Sequence, residues 1–377
     1  MIEKKRRRSA AGREAGTANM QDVAKRAGVS VATVSHVINS SRTVLPDTRE
    51  RVLAAVAELA YRPHAIARSL RSSKTGTIGV IISDITNPFF ADLVRGIEHA
   101  LEIRDPQMNY ILSNTDEDSK KEARYLDVLL DRRVDGLIVA PVGGNERHLA
   151  EIISRGIPMV FVDRMLRRVE ADTVLVDNLD GARRIVDHVI HLGRRRIAIL
   201  VSMLHANTIE ERVAGYRESL AENGLAFDQS LVFESPSTIE AAYAAGCRML
   251  ASKARPDAVF CTNNFMTLGM FRAVHAAGLR CPEDIAIAGF DDFPWADSFH
   301  PQLTTVAMPS FSMGEEAVRV LLERLTKQRT GPAIKVVLGT ELLFRESCGE
   351  KLSPAHERPA PSQDSSALPT NTRSPSN

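Results

Sequence analysis

The sequence predicts an all-α head followed by an α/β body of two doubly wound lobes. Three observations carry this. Short helical patterns fill residues 19–62, and after Gly76 short β-branched runs alternate with amphipathic helical patterns. The charge of the chain is also divided between the two parts. With 377 residues, 44% of them hydrophobic and 25% charged, the chain is long enough for two or three domains with sizeable cores.

The net charge of +1 hides an asymmetry. Residues 1–75 hold 15 Lys and Arg against 6 Asp and Glu, whereas the remainder holds 33 against 41. A basic head on an acidic body is the pattern of a polyanion-binding module joined to something else. The run Lys4–Arg8 supplies five of those cations, but Lys25, Arg26, Arg42, Arg49, Arg51, Arg62, Arg68, Arg71 and Lys74 are spread through structured-looking segments.

Several classes are disfavoured. No apolar run approaches the roughly 20 residues that span a bilayer. The charged start "MIEKKRRRSAAGREAG" is not followed by the apolar run of a secretory signal. A cytoplasmic protein without membrane contact is expected. The four cysteines are scattered, with no C-x-x-C and no His at ligand spacing, so neither a metal nor a disulfide framework is expected, and no cofactor.

Taken in order, residues 1–18 lack apolar periodicity and read as a disordered basic tail. The first helix is "MQDVAKRA", with Asn19 as N-cap and Asp22 three residues on. The second lies in "GVSVATVSHVIN", with Ser30 as N-cap. The third is "PDTRERVLAAVAELA", with Pro46 at its first position and Val52, Leu53, Val56 and Leu59 as its apolar face. A short pattern, "PHAIARSLR", and the linker "SSKTG" follow. These assign a helix-turn-helix domain to 19–62 and a hinge helix with linker to 63–75.

Runs such as "TIGVIIS", "GLIVAP", "PMVFVD", "RIAILV" and "IAIAGFDD" then alternate with helical patterns. Continuous apolar strands alternating with helices mean parallel sheets covered on both faces. There are too many strands for one open sheet, so 76–345 divides into two lobes, with ligand chemistry at the carboxyl ends of the strands. Residues 346–377 end in "KLSPAHERPAPSQDSSALPTNTRSPSN", rich in Pro and Ser, and read as a disordered tail.

The second helix has small, uncharged outward residues where a stable helix would favour Leu, Glu or Lys. "AGVS" joins it to the first helix as a helix-turn-helix would: Ala24 packs inside, Gly28 permits the turn and Val34 packs the second helix back. Such a second helix enters the major groove of DNA, where bulky or acidic side chains clash or are repelled. Ala32, Thr33, Ser35 and His36 keep that face slim. Val31 and Ala32 suit thymine methyls, and His36 suits guanine N7 or O6.

On these residues the chain resembles the LacI/GalR family of bacterial transcriptional regulators. "QDVAKRAGVSVATVSHVIN" is similar to that family's helix-turn-helix, and "TRERVLAAVAELAYRPHAIARSL" to its third helix and hinge. The resemblance continues through "IGVIISDITNPFF", "RVDGLIVAP", "FVDR", "ERVAGY", "GFDD" and "PQLTTV", covering about 19–345 in the family's order. It departs at Leu45-Pro46, which replaces the polar cap often found before the third helix, and in both tails.

The resemblance implies a periplasmic-binding-protein-like body. It puts Val31, Ala32 and His36 at base-reading positions, with Asn39 and Ala67 among the DNA contacts. Leu70 takes the place of the hinge leucine that wedges into the minor groove, and Arg71 serves a phosphate. Unstacking one base step costs a few kcal/mol but bends DNA onto more protein. The resemblance further implies a homodimer on a palindromic operator of double-stranded DNA, with a tetramer left open.

Candidate ligand residues lie where strands end. They are Asn87, Phe89 and Phe90 in "SDITNPFF", Asp116 in "SNTDED", and Asp163 and Arg164 in "FVDR". Asn263 comes from "CTNN", and Asp291, Phe293 and Trp295 from "GFDDFPW"; Arg212 in "ERVAGY" holds the family's cleft arginine. Carboxylate, guanidinium and amide groups beside aromatic faces suit a small polyhydroxylated effector. The head leans toward purine-responsive members of the family, and "FVDR" with "GFDDFPW" toward sugar-responsive ones. The expected function is a ligand-responsive DNA-binding regulator, a repressor by the family's usual outcome, with a sugar or sugar derivative, or a purine-like molecule, between the lobes. The alternatives are a transport-type binding protein, which the basic head argues against, and an enzyme. No catalytic residue is assigned, because no G-x-G-x-x-G, phosphate loop or G-x-S-x-G elbow follows a strand.

Overall fold

A computed structural model describes residues 18–38, 42–61, 75–203, 206–252 and 255–349. The chain divides into two compact units, 1–77 with 131–135, and 78–130 with 136–377.

Among its described residues the first unit holds three helices, α1 (Met20–Ala27), α2 (Val31–Ile38) and α3 (Pro46–Glu58). Asn19 and Asp22 close a reciprocal capping box: Asn19 Oδ1 accepts from the Asp22 amide at 3.1 Å, and Asp22 Oδ2 accepts from the Asn19 amide at 2.9 Å. Gly28 ends α1 in left-handed backbone at φ 65°, and the Val29 amide turns back to Ala24 O. Ser30 Oγ then accepts from the Thr33 amide at 3.1 Å, capping α2. Val23, Ala24, Ala27, Val34, Val37, Val52, Ala55 and Tyr61 form the core. The apolar face of α3 differs from the expected one. Leu53 points outward, 46% exposed, and Ala55 takes the inward place beside Val52.

The second unit is the body. Its first lobe runs β1 (Thr77–Ile82), α4 (Pro88–Arg104), β2 (Asn109–Asn114), α5 (Ser119–Asp131), β3 (Gly136–Val139), α6 (Glu146–Ser154), β4 (Met159–Val162) and β5 (Asp172–Val176). The second runs α7 (Asn178–His191), β6 (Ile197–Ser202), α8 (Asn207–Glu222), β7 (Val232–Ser235), α9 (Ile239–Leu250), β8 (Ala258–Cys261), α10 (Asn264–Ala276), β9 (Ala286–Phe290) and β10 (Thr304–Ala307). The chain then returns to the first lobe through α11 (Ser310–Leu325) and β11 (Lys335–Leu338), and crosses back to β12 (Glu341–Leu343).

The two sheets share one order, β11-β5-β4-β3-β1-β2 and β12-β10-β9-β8-β6-β7. Strands β1, β3, β4, β5 and β11 pair in parallel, as do β6–β10, while β12 runs antiparallel to β10. Such parallel sheets are covered by helices, which is why β3, β4, β6, β8 and β9 are buried along their whole length. The return of α11 is fixed by close backbone approach to α4: a Cβ at Gly96 would lie 2.0 Å from Phe311 O, and one at Gly314 would lie 2.2 Å from Leu93 O.

Several elements lay outside the sequence reading, among them β7, α11 and β11. β7 is an edge strand only partly buried, so "VFES" has no continuous apolar run. α11 and β11 belong to the first lobe despite their late place in the chain, which local periodicity does not encode. The fold also passes the expected boundary at 345. A 3-10 turn at Glu346–Cys348 is buried at Ser347 and Cys348, and Ser347 Oγ donates to Ile287 O at 2.6 Å and accepts from the Thr304 amide at 2.8 Å. Among the described residues no helix is long and apolar enough to cross a membrane, and no group of His, Cys, Asp and Glu could hold a metal ion. The four cysteines are free thiols.

Candidate nucleic-acid interface and ligand cleft

On α2, Val34 and Val37 face the core, Ala32 is exposed, and Val31, Thr33, Ser35 and His36 are half-buried. Val31 also packs partly against the head core. Asn39, Ala67, Leu70 and Arg71 lie outside the described residues. The folded three-helix segment is less basic than the head as a whole. Between residues 18 and 61 five Lys and Arg stand against four carboxylates, and Arg26 is paired with Glu58 at 2.6 Å. The excess resides in the flanking segments: six against two in 1–17, and four against none in 62–75.

In the body, loops at the carboxyl ends of both sheets meet around a cavity of about 60 Å³. Phe89, Phe90, Asp163, Arg164 and Asn87 line it from the first lobe, and Arg212, Asn263 and Asp291 from the second. The lobes touch directly across it. Asn264 Nδ2 donates to Asn87 Oδ1 at 2.9 Å, and the Met165 amide donates to Asn207 Oδ1 at 3.0 Å. Asn87 also caps α4, accepting from the Phe89 amide at 3.0 Å. Phe89 and Phe90 stack edge to face, 4.9 Å between centroids.

Arg212 is held on every side. Its Nε donates to Asn178 Oδ1 at 2.9 Å and its Nη1 to Thr262 O at 2.6 Å, while the guanidinium lies 3.8 Å from the Phe290 ring centroid. Its pairing with Asp291 is looser. Nη1 reaches Oδ2 at 3.4 Å, and Nη2 lies 3.2 Å from Oδ1 off the axis of a hydrogen bond, leaving that oxygen without a hydrogen-bond partner among the described residues. Burial pushes the Asp291 carboxyl up from the ordinary range, against the opposing pull of Arg212.

Arg164 forms a two-pronged pair with Glu117, both contacts at 2.7 Å. Its Nε lies 3.2 Å from Asp163 Oδ2, again without an aligned hydrogen bond. Burial works against the Arg164 charge, but the bonds to Glu117 and the negative charge of nearby Asp163 together outweigh it and hold the guanidinium above its ordinary range. Burial likewise raises Asp163, to about 6, although Arg164 and Arg212 pull it down.

Three predicted residues stand apart from this cavity. Asp116 is exposed and pairs with Lys121 and Asn114; its neighbour Glu117 turns toward Arg164 instead. Both sit in left-handed backbone, φ 51° and 58°, so the turn that aims one away aims the other in. Phe293 is buried in a small cluster with Ala296 and Leu303. Trp295 is 46% exposed and lines, with Phe293, a second cavity of about 540 Å³ that shares Phe89, Asp291 and Met308 with the first. The sequence reading missed Asp84, Glu117, Thr208, Ile209, Ser237, Phe265 and Met308 in the first cavity. "DED" offered three adjacent acids, and only the backbone conformation distinguishes them. Ser237 accepts from Asn263 Nδ2 at 2.8 Å, a contact that no local pattern encodes.

A helix-turn-helix head and a two-lobed body closing on a polar cavity define a DNA-binding regulator that answers to a small ligand. The comparisons with known proteins give the family. Residues 19–64 match the lacI family of bacterial regulatory proteins, and residues 186–348 match the periplasmic binding protein-like domain. The ribose operon repressor of Haemophilus influenzae is 35% identical over 88% of this chain and 98% of its own. The transcriptional repressor PurR of Erwinia tasmaniensis is 38% identical over 83% and 92%. Among solved structures, a regulator CelR–cellobiose complex has a TM-score of 0.67 at 32% identity, covering 88% of this chain and 99% of its own. The lac repressor dimer bound to operator and the anti-inducer ONPF has a TM-score of 0.79 at 27% identity, with the same coverage. The chain belongs to the LacI family of bacterial transcriptional regulators.

Proposed function

We propose that two copies of this chain bind a palindromic operator in the cytoplasm and repress transcription there, and that a sugar or sugar derivative held between the lobes sets operator affinity. The observation that carries the effector reading is the cavity that both lobes build from charged and amide side chains at their strand ends. At about 60 Å³ it is far smaller than the roughly 300–1,000 Å³ of ordinary small-molecule sites. Ligand entry therefore requires the lobes to part and the Asn87–Asn264 bond to break, which makes the separation of the lobes ligand-dependent. The relatives named for a ribose operon and solved with cellobiose support a sugar; PurR keeps a purine as the second reading.

In the head, Val31, Ala32 and His36 read bases, Thr33, Ser35, Asn39 and Ala67 are further DNA contacts, Leu70 wedges into the minor groove and Arg71 serves a phosphate. The lac repressor solved as a dimer on its operator supports the two-fold arrangement. The experiment is selection of the full chain on random duplex DNA, with sedimentation of the bound species. The expected result is an enriched two-fold symmetric site occupied by two chains. An asymmetric site bound by one chain would overturn the proposal.

A further inference from the structure

The folded head is almost neutral, and the cations that a DNA-binding module needs stand on either side of it in the sequence. Within residues 18–61 five Lys and Arg face four carboxylates. Three of those ions are engaged inside the protein: Arg26 pairs with Glu58, and Asp22 closes the capping box with Asn19. Residues 1–17 hold six cations against two acids, and five of the six, Lys4, Lys5, Arg6, Arg7 and Arg8, are consecutive. This run lies outside the described residues. It also precedes residues 19–64, the part matched to the lacI family, so the family's operator contacts do not account for it.

Three features direct the run to DNA. The first is its point of attachment. The capping box places the start of the folded head at Asn19, the amino end of α1, and the first helix of a helix-turn-helix crosses the DNA backbone. The second is the short tether. Eleven peptide links separate Arg8 from Asn19, and covalent geometry limits their span to about 40 Å. A tether of that length holds the cations at an effective concentration on the order of millimolar beside any duplex the head has bound. The third is composition. Five adjacent like charges repel one another, and a polyanion relieves that repulsion. No acid, amide or aromatic side chain interrupts the run, so it is suited to phosphates and not to base edges.

We infer that Lys4–Arg8 bind phosphates of the duplex flanking the operator, without regard to base sequence, and add their own share to the salt dependence of binding. The inference goes beyond base reading by α2 and rests only on the head binding DNA.

The test is fluorescence anisotropy of the full chain on the selected operator and on a scrambled duplex of equal length, from about 50 to about 200 mM salt. One variant carries Lys4→Gln, Lys5→Gln, Arg6→Gln, Arg7→Gln and Arg8→Gln. A second, Arg6→Lys with Arg7→Lys and Arg8→Lys, keeps the charge. Each phosphate neutralised contributes about 0.9 to the slope of log affinity against log salt. With two chains bound, the glutamine variant should show a slope shallower by about 2 or more and an affinity at the lowest salt reduced by about 10-fold or more on both duplexes. The lysine variant should stay within about 2-fold of the wild-type chain. An unchanged slope overturns the inference. A loss confined to the operator overturns it in favour of base reading, and tighter binding by the glutamine variant overturns it in favour of docking on the acidic body. A wild-type chain that binds neither duplex removes DNA binding by the head itself, and the inference with it.

Discussion

Asp163 and Asp291 occupy the same place in the two lobes. Each is the first residue beyond its strand, β4 or β9, and those strands hold the same position in the two sheet orders. Both residues are in left-handed backbone, at φ 66° and 68°, and both are 6% exposed. Left-handed backbone at a non-glycine residue costs on the order of 1 kcal/mol, and strain of this kind concentrates at functional sites. The repeat of one strained, buried carboxylate in each lobe is what makes the cleft symmetric in its chemistry.

Asp163 gives the body a pH dependence. Its folded pKa of about 6 stands above the ordinary 3.8, because burial disfavours the charge. Between those values the folded state keeps a proton that the unfolded chain has lost, so this residue's contribution to stability falls as pH rises through that window and levels off above it. The contribution is on the order of 3 kcal/mol. Asp163→Asn removes it. Urea unfolding between pH 4.5 and 7.5 should show the wild-type chain losing ground to the variant as pH rises; parallel profiles would refute the assignment.

Arg212 holds the second lobe together as well as lining the cleft. Arg212→Ala leaves Asp291 buried without its partner and strips donors from Asn178 and Thr262, an expected loss of about 3–5 kcal/mol. Asp291→Ala in the same chain should recover part of that, because the stranded carboxylate goes with it. A double-mutant cycle by urea unfolding measures the coupling, and strictly additive losses would show that the pair is not linked.

The outward face of α2 is free of any packing duty at Ala32, since Val34 and Val37 carry the core contact. Ala32→Glu should therefore leave the melting curve of the chain unchanged and lower specific DNA affinity on the order of 100-fold. Fluorescence anisotropy with the selected operator reads the second effect. Unchanged affinity would mean that α2 does not enter the groove at this position.

Much of this was legible in the sequence because the signals are local. The capping box of Asn19 and Asp22, the left-handed Gly28 and the apolar runs of β3, β4, β6, β8 and β9 each declare themselves within a few residues. Asp163 and Asp291 were named because they end short strand motifs, and Arg212 because "ERVAGY", inside α8, matches the family's motif. What was not legible depends on contacts between distant segments or on a backbone angle. The return of α11 to the first lobe rests on Gly96 meeting Phe311, more than two hundred residues on. The exchange of Asp116 for Glu117 rests on two consecutive left-handed residues. Asn264, which bridges the lobes, sits beside Asn263, the residue chosen from "CTNN", which caps α10.

The central claim is that occupation of the cleft changes operator affinity. The direct measurement is the affinity of the full chain for its selected operator, with and without a saturating concentration of a sugar or purine that binds in calorimetric titration, at one fixed salt concentration. The account gives a change of about 5–150-fold, corresponding to a coupling of about 1–3 kcal/mol. Equal affinities in the two conditions would contradict it.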